Sequence, residues 1–99
     1  MLRVLILDPN ASALFDTDRC VKWAWAWWTR LGAQCQKVVN TLPATSAVYT
    51  QQWDIIVVPW VRNLAASYTN LQTHLSRFTD TTIPVWVGSA SDPTQGAGI

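Results

Sequence analysis

The sequence predicts an α/β domain built on one parallel four-stranded sheet, and three observations carry that prediction. Short apolar runs alternate with helix-period stretches along all 99 residues. The first and third runs, Val4-Leu5-Ile6-Leu7 and Ile55-Ile56-Val57-Val58, are continuously apolar, as strands buried on both faces must be. The order strand–helix–strand–helix–strand–helix–strand calls for right-handed crossovers, which place helices on both faces.

The first strand spans 3–7 and stops at the turn cluster Asp8-Pro9-Asn10. A helix follows, capped at its start by Ser12, Asp16 or Asp18 and stopped by Gly32. The weaker second strand covers 34–40. Thr41-Leu42-Pro43 opens a short helix with proline in its first turn. The third strand is 54–58. Asn63 is the expected cap of a third helix, on which Leu64, Tyr68, Leu71, Leu75 and Phe78 form an apolar stripe. The fourth strand is 83–87. Residues 1–90 form the domain and 91–99 a flexible tail. The expected strand order is 2-1-3-4, a flavodoxin-like three-layer sandwich in which ligands sit at the carboxyl ends of the strands.

Composition removes several function classes. Seven basic and six acidic residues give a net charge of +1, with no basic cluster to hold nucleic acid. No apolar run approaches the roughly 18 residues of a membrane span, and the short apolar start fits no signal peptide. The expected location is therefore the cytoplasm. Cys20 and Cys35 read as two reduced, buried thiols, and with His74 they are too few for an all-Cys/His zinc site.

The segments V-L-I-L-D-P-N-A-S (4–12), D-I-I-V-V-P-W (54–60) and I-P-V-W-V-G-S-A (83–90) resemble the first, third and fourth strand regions of receiver domains of two-component response regulators. The resemblance implies a vestigial phosphoacceptor site. Asp8 falls at the first acidic position and Pro9 at the second. Pro59 stands at the phosphate-accepting aspartate and Ser89 at the hydroxyl. The family's fifth strand, last helix and lysine have no counterpart. Phosphorylation in that family needs Mg²⁺ on several carboxylates and a carboxylate nucleophile. One carboxylate of three remains, so no phosphoryl transfer, metal or cofactor is expected. Glutamine-amidotransferase-like domains, which the chain resembles more weakly, often carry a proline past this strand. They also require a nucleophile elbow, and the turn at Ser89 lacks its glycines.

Seven tryptophans remain to be explained, four of them on one helix: Trp23, Trp25, Trp27 and Trp28. The apolar arc of that helix spans about 200°, where about 100° suffices to cover a sheet. Its surplus, at Trp23 and Trp25, either leans over the sheet margin to enlarge a small core or, with Trp27, forms an interface. Trp86 alternates into a sheet face and is expected in the core. The function expected from these features is a non-catalytic pseudo-receiver that binds a protein partner or a second copy, with the fourth strand as an exposed edge. The alternative is a small-ligand module using Asp8, Asn10, Trp60 and Ser89 around the crevice.

Overall fold

The computed structural model describes residues 1–10, 15–62, 64–88 and 90–91. Ser12, Asn63, Ser89 and the expected tail beyond Ser91 lie outside them. The chain runs β1 (Arg3–Asp8), α1 (Phe15–Arg30), β2 (Gln34–Val39), a single 3₁₀ turn (Ala47–Tyr49), β3 (Ile55–Val58), β4 (Val61–Arg62), α2 (Ala65–Arg77), β5 (Val85–Val87) and β6 (Ala90–Ser91). Four strands form a parallel sheet in the order β2-β1-β3-β5.

Central β1 pairs with β2 on one side and β3 on the other. Its residues Val4 to Leu7 are completely buried, and their alternation feeds two cores. Leu5 and Leu7 meet Ile56, Val58, Tyr49, Trp53, Phe78 and Ile83 on one face. Val4 and Ile6 meet Val57, Val21 and Ala33 on the other, with Ala24 and Trp28 of α1 packed against them. Each such aliphatic side chain contributes about 1.5–3 kcal/mol by leaving water. β2 is an edge strand, mostly exposed, which suits its weak apolar pattern.

α1 ends where the sequence stops it. Gly32 adopts φ +87°, the left-handed conformation open to glycine. The Ala33 N–H donates to the Trp28 carbonyl and the Gly32 N–H to that of Thr29. These are the two bonds of a Schellman stop. At the other end, α1 begins at Phe15, so Asp16 and Asp18 lie inside the helix and not at its cap position. Cys20 and Cys35 are outside any disulfide and half-buried rather than core.

Three further expectations need correction. The helix expected from Thr41-Leu42-Pro43 is only the turn Ala47–Tyr49, capped by Ser46, whose hydroxyl accepts from the Val48 N–H. α2 starts one residue later than an Asn63 cap requires, with Leu64 at the cap position and no side-chain cap. The buried face of α2 is also rotated from the apolar stripe. Ser67 and His74 are fully buried while Leu64, Tyr68 and Leu75 stay partly exposed.

Polar partners explain the rotation. The Nε2–H of His74 donates to the Asn40 carbonyl, so Nδ1 is the acceptor for the Tyr49 hydroxyl at 2.9 Å. Asn70 Nδ2 donates to the Pro9 carbonyl at 2.9 Å. Arg77 reaches the Leu42 carbonyl at 2.6 Å. α2 thus satisfies the irregular backbone after β1 and β2, and leaving those groups unpaired in the interior costs more than exposing part of three apolar side chains.

Burial lowers the His74 pKa from its ordinary value; the Asn40 bond raises it and the Arg77 charge lowers it. An unfolded histidine takes its proton near pH ~6.5. Between that pH and the lower folded value the unfolded state holds more protons, so stability rises with pH there. The full contribution is present above pH ~6.5 and is lost as the pH falls toward the folded value. The urea midpoint of the wild type should therefore drop on acidification below pH ~6.5 more steeply than that of His74→Gln. Equal slopes refute the assignment.

Candidate functional site

The carboxyl ends of β1 and β3 are the first place to look, and the structure fills them with its own groups. Asp8 and Asn10 are both buried. Asp8 Oδ1 accepts from the Asn10 side chain at 2.6 Å and from its backbone N–H at 3.3 Å, an Asx-type turn. Asn10 Nδ2 also donates to the Trp60 carbonyl at 3.1 Å, and Asn10 Oδ1 accepts from the Arg62 N–H at 2.6 Å.

That pair of bonds brackets Val61. In a parallel ladder one residue donates to the carbonyl before its partner and accepts from the N–H after it. β1 and β3 pair with Val4 opposite Ile55 and Ile6 opposite Val57, and the same register places position 10 opposite Val61. The Asn10 amide therefore stands in for a backbone peptide and carries the β1 ladder one step beyond the strand.

This local arrangement explains Pro59. β3 breaks at Pro59-Trp60 and resumes as β4, which pairs in parallel with β6, Val61 opposite Ala90. The register is the one β3 keeps with β5, Val58 opposite Val87. Proline has no N–H to contribute, so it occupies the interruption. Gly88 faces it and donates its N–H to the Val58 carbonyl at 2.9 Å. A β-carbon on Gly88 would stand 2.5 Å from the Pro59 carbonyl oxygen and 2.7 Å from Cη2 of Trp86. The position is therefore closed to any side chain.

Of the vestigial set, Asp8, Pro9 and Pro59 lie along the ends of β1 and β3. Ser89 is outside the described residues. Of the crevice set, Asp8, Asn10 and Trp60 come together, but Asp8 and Asn10 are engaged with each other and with backbone. Among the described residues no group of three or more His, Cys, Asp or Glu is placed to hold a metal ion. His74 is held by Tyr49 and Asn40, on the α2 side of the sheet.

The open surface lies elsewhere. α1 packs over β1 and β2, and β3 turns through α2 to the opposite face before reaching β5. On the α1 side, Val57 of β3 is buried against α1, while β5 is left exposed. The result is an apolar trough of about 580 Å³. Ile55, Val57 and Pro59 line its sheet side, Cys20, Trp23, Trp27 and Trp28 its α1 side, and Trp86 stands on β5. Trp23 and Trp27 are each 63% exposed and Trp86 54%.

The expected interface triplet is thus divided. Trp23 and Trp27 share the trough, while Trp25, 40% exposed, stands on the opposite flank of α1 beside Lys22 and Lys37. Trp86 is not core, as the pattern suggested. It sits opposite Val57, but among the described residues it remains 54% exposed. The missed signal was topological: a right-handed β1-α1-β2 unit puts α1 over β1 and β2, not over β3.

Comparisons with known protein families, with curated proteins and with solved structures returned no match to this chain.

Two substitutions test this geometry. Asn10→Ala orphans the Trp60 carbonyl and the Arg62 N–H and should cost about 1–3 kcal/mol in urea unfolding. Asn10→Asp should cost at least as much, since it cannot donate and adds a carboxylate beside Asp8. An unchanged midpoint in both defeats the ladder-extension reading. Separately, Gly88→Ala should cost about 1–3 kcal/mol through overpacking and shift the emission of Trp86. A neutral Gly88→Ala with unaltered fluorescence contradicts the close approach.

Proposed function

We propose that this chain is a non-catalytic protein-interaction module, a pseudo-receiver of flavodoxin-like, three-layer build that acts in the cytoplasm without phosphorylation. The observation that carries the reading is the exposure of Trp23, Trp27 and Trp86 around one apolar trough. Exposed apolar surface of this extent marks an interaction site, and tryptophan is the residue most enriched where binding energy concentrates.

The remnants of the receiver pattern support the non-catalytic half. Proline at position 59 offers no side-chain oxygen to a phosphoryl group. The carboxylate at position 8 is buried and bonded to Asn10. In this reading the former phosphate pocket has become a piece of sheet, and the working surface has moved to the α1 side. No described helix is long and apolar enough to cross a membrane.

The test has two readouts. Incubation with acetyl phosphate and Mg²⁺ should leave the intact mass unchanged, and a stable adduct on the folded protein refutes the proposal. Light scattering at micromolar concentration should show concentration-dependent, open-ended association that Trp27→Ser and Trp86→Ser reduce. A monodisperse monomer, indifferent to both substitutions, refutes the interaction surface.

A further inference from the structure

The sheet ends at β5, and that end is unguarded. β5 is last in the order β2-β1-β3-β5, so one of its edges pairs with β3 and the other with nothing among the described residues. The Gly88 N–H donates to the Val58 carbonyl, and the Pro84 carbonyl accepts from the Ile56 N–H. The even-numbered residues therefore turn their backbone groups inward. Hydrogen-bonding direction alternates along a strand, so Val85 and Val87 point both N–H and C=O outward. An edge of this kind invites another strand.

The residues on the edge select the occupant. Val85-Trp86-Val87 reads the same in both directions. A second copy, placed by a two-fold axis through Trp86, lays its β5 antiparallel to the first. Val85 then stands opposite Val87 of the second copy and exchanges both backbone hydrogen bonds with it. Trp86 meets its own twin as a non-hydrogen-bonded pair, at the closer antiparallel spacing of about 4.5 Å between α-carbons. Both indoles lie on the α1 face, and aromatic cross-strand pairs of this kind are favourable. The three side chains are 42%, 54% and 46% exposed in chain order, so each has surface to lose. No charged residue occurs from Ile83 to Ser91, and the two edges bring no like charges together. Pro84 has no N–H, but its place in the alternation is inward, so the outer edge loses nothing.

The opposite edge of the sheet is guarded. The Gln34 N–H donates to the Leu2 carbonyl and the Asn40 N–H to that of Asp8. The same alternation leaves Cys35, Lys37 and Val39 of β2 outward. A symmetric pair that engages all three sets the exposed Lys37 against its twin. Lysine on an edge strand is a common device against pairing, and β5 carries none.

We propose that two copies of this chain pair antiparallel through β5, Val85 against Val87 and Trp86 against Trp86, and so join two four-stranded sheets into one. The inference goes beyond the contact proposed for the trough. Edge pairing is isologous and closes at two, whereas association through the trough is open-ended. With only three residues on each side, it belongs among small, transient interfaces.

Sedimentation velocity on the full chain carrying Trp27→Ser tests it, because that substitution blunts the trough and leaves β5 intact. From micromolar to millimolar concentration the species should shift from monomer to dimer and stop at two. In the same background, Val87→Lys and Val85→Glu should each return the chain to monomer. Mixing these two variants should restore a dimer, since the register sets the carboxylate opposite the ammonium. By NMR, amide exchange at Val85 and Val87 should slow with rising concentration more than at Gly88, which is already bonded to β3. Circular dichroism melts establish that each variant folds.

A Trp27→Ser chain that stays monomeric throughout overturns the pairing and leaves the trough contact standing. A dimer that survives Val87→Lys, or a mixture that associates no better than its two components, overturns the β5 register. A wild type that also stops at two upholds the pairing and removes the open-ended contact. A wild type that is monomeric at every concentration refutes both.

Discussion

Parallel pairing of β1 with both β2 and β3 is the constraint on which the rest of the molecule depends. It buries Val4 to Leu7 entirely and divides their side chains between two cores. It also fixes handedness. A right-handed crossover from β1 outward to β2 puts α1 on one face. The crossover from β3 outward to β5 runs the other way along the sheet and puts α2 on the opposite face. Among the described residues one helix lies on each side of the four strands, and β5 stays exposed on the α1 side. The trough is therefore a product of topology, and the tryptophans that line it sit where topology leaves apolar surface in water.

The second consequence concerns the ends of the strands. In open parallel sheets the carboxyl ends gather loops into a crevice where ligands bind. Here the loop after β1 folds back through Asp8 and Asn10, and the Asn10 amide takes up the hydrogen bonds that a longer strand would make. α2 turns a polar face, through Asn70 and His74, toward the backbone that follows β1 and β2. Hydrogen bonding to irregular backbone outweighs hydrophobic periodicity on this helix. Asp8 and Asn10 are thus structural members of the sheet.

These two regions differ in how far the sequence discloses them. The strands were legible because continuous aliphatic runs permit little else, and so was the helix stop, because Gly32 is a residue suited to a left-handed backbone. The short helix after Pro43 was not legible. A proline in a first turn permits a helix without requiring one, and the chain instead uses Ser46 and a single turn to deliver Tyr49 to His74. The buried face of α2 was hidden because His74 and Ser67 look like surface residues until their surroundings are known. Trp86 was misplaced because alternation tells which face a residue takes and not whether anything lies above that face. Asn10 was noticed as a polar group near a crevice, but its use as a surrogate peptide depends on a register that only coordinates reveal.

Gly88 gives the trough one more property. With no side chain of its own, it lets the six-membered ring of Trp86 settle against its backbone, next to the Pro59 carbonyl. An exposed indole on a bare strand would sample several rotamers and forfeit that freedom on association, at about 0.5–1.5 kcal/mol for an immobilised side chain. Against glycine, the ring has a backbone surface on which to pack in the folded chain. A ring packed in this way gives up less freedom on any contact than one that projects freely.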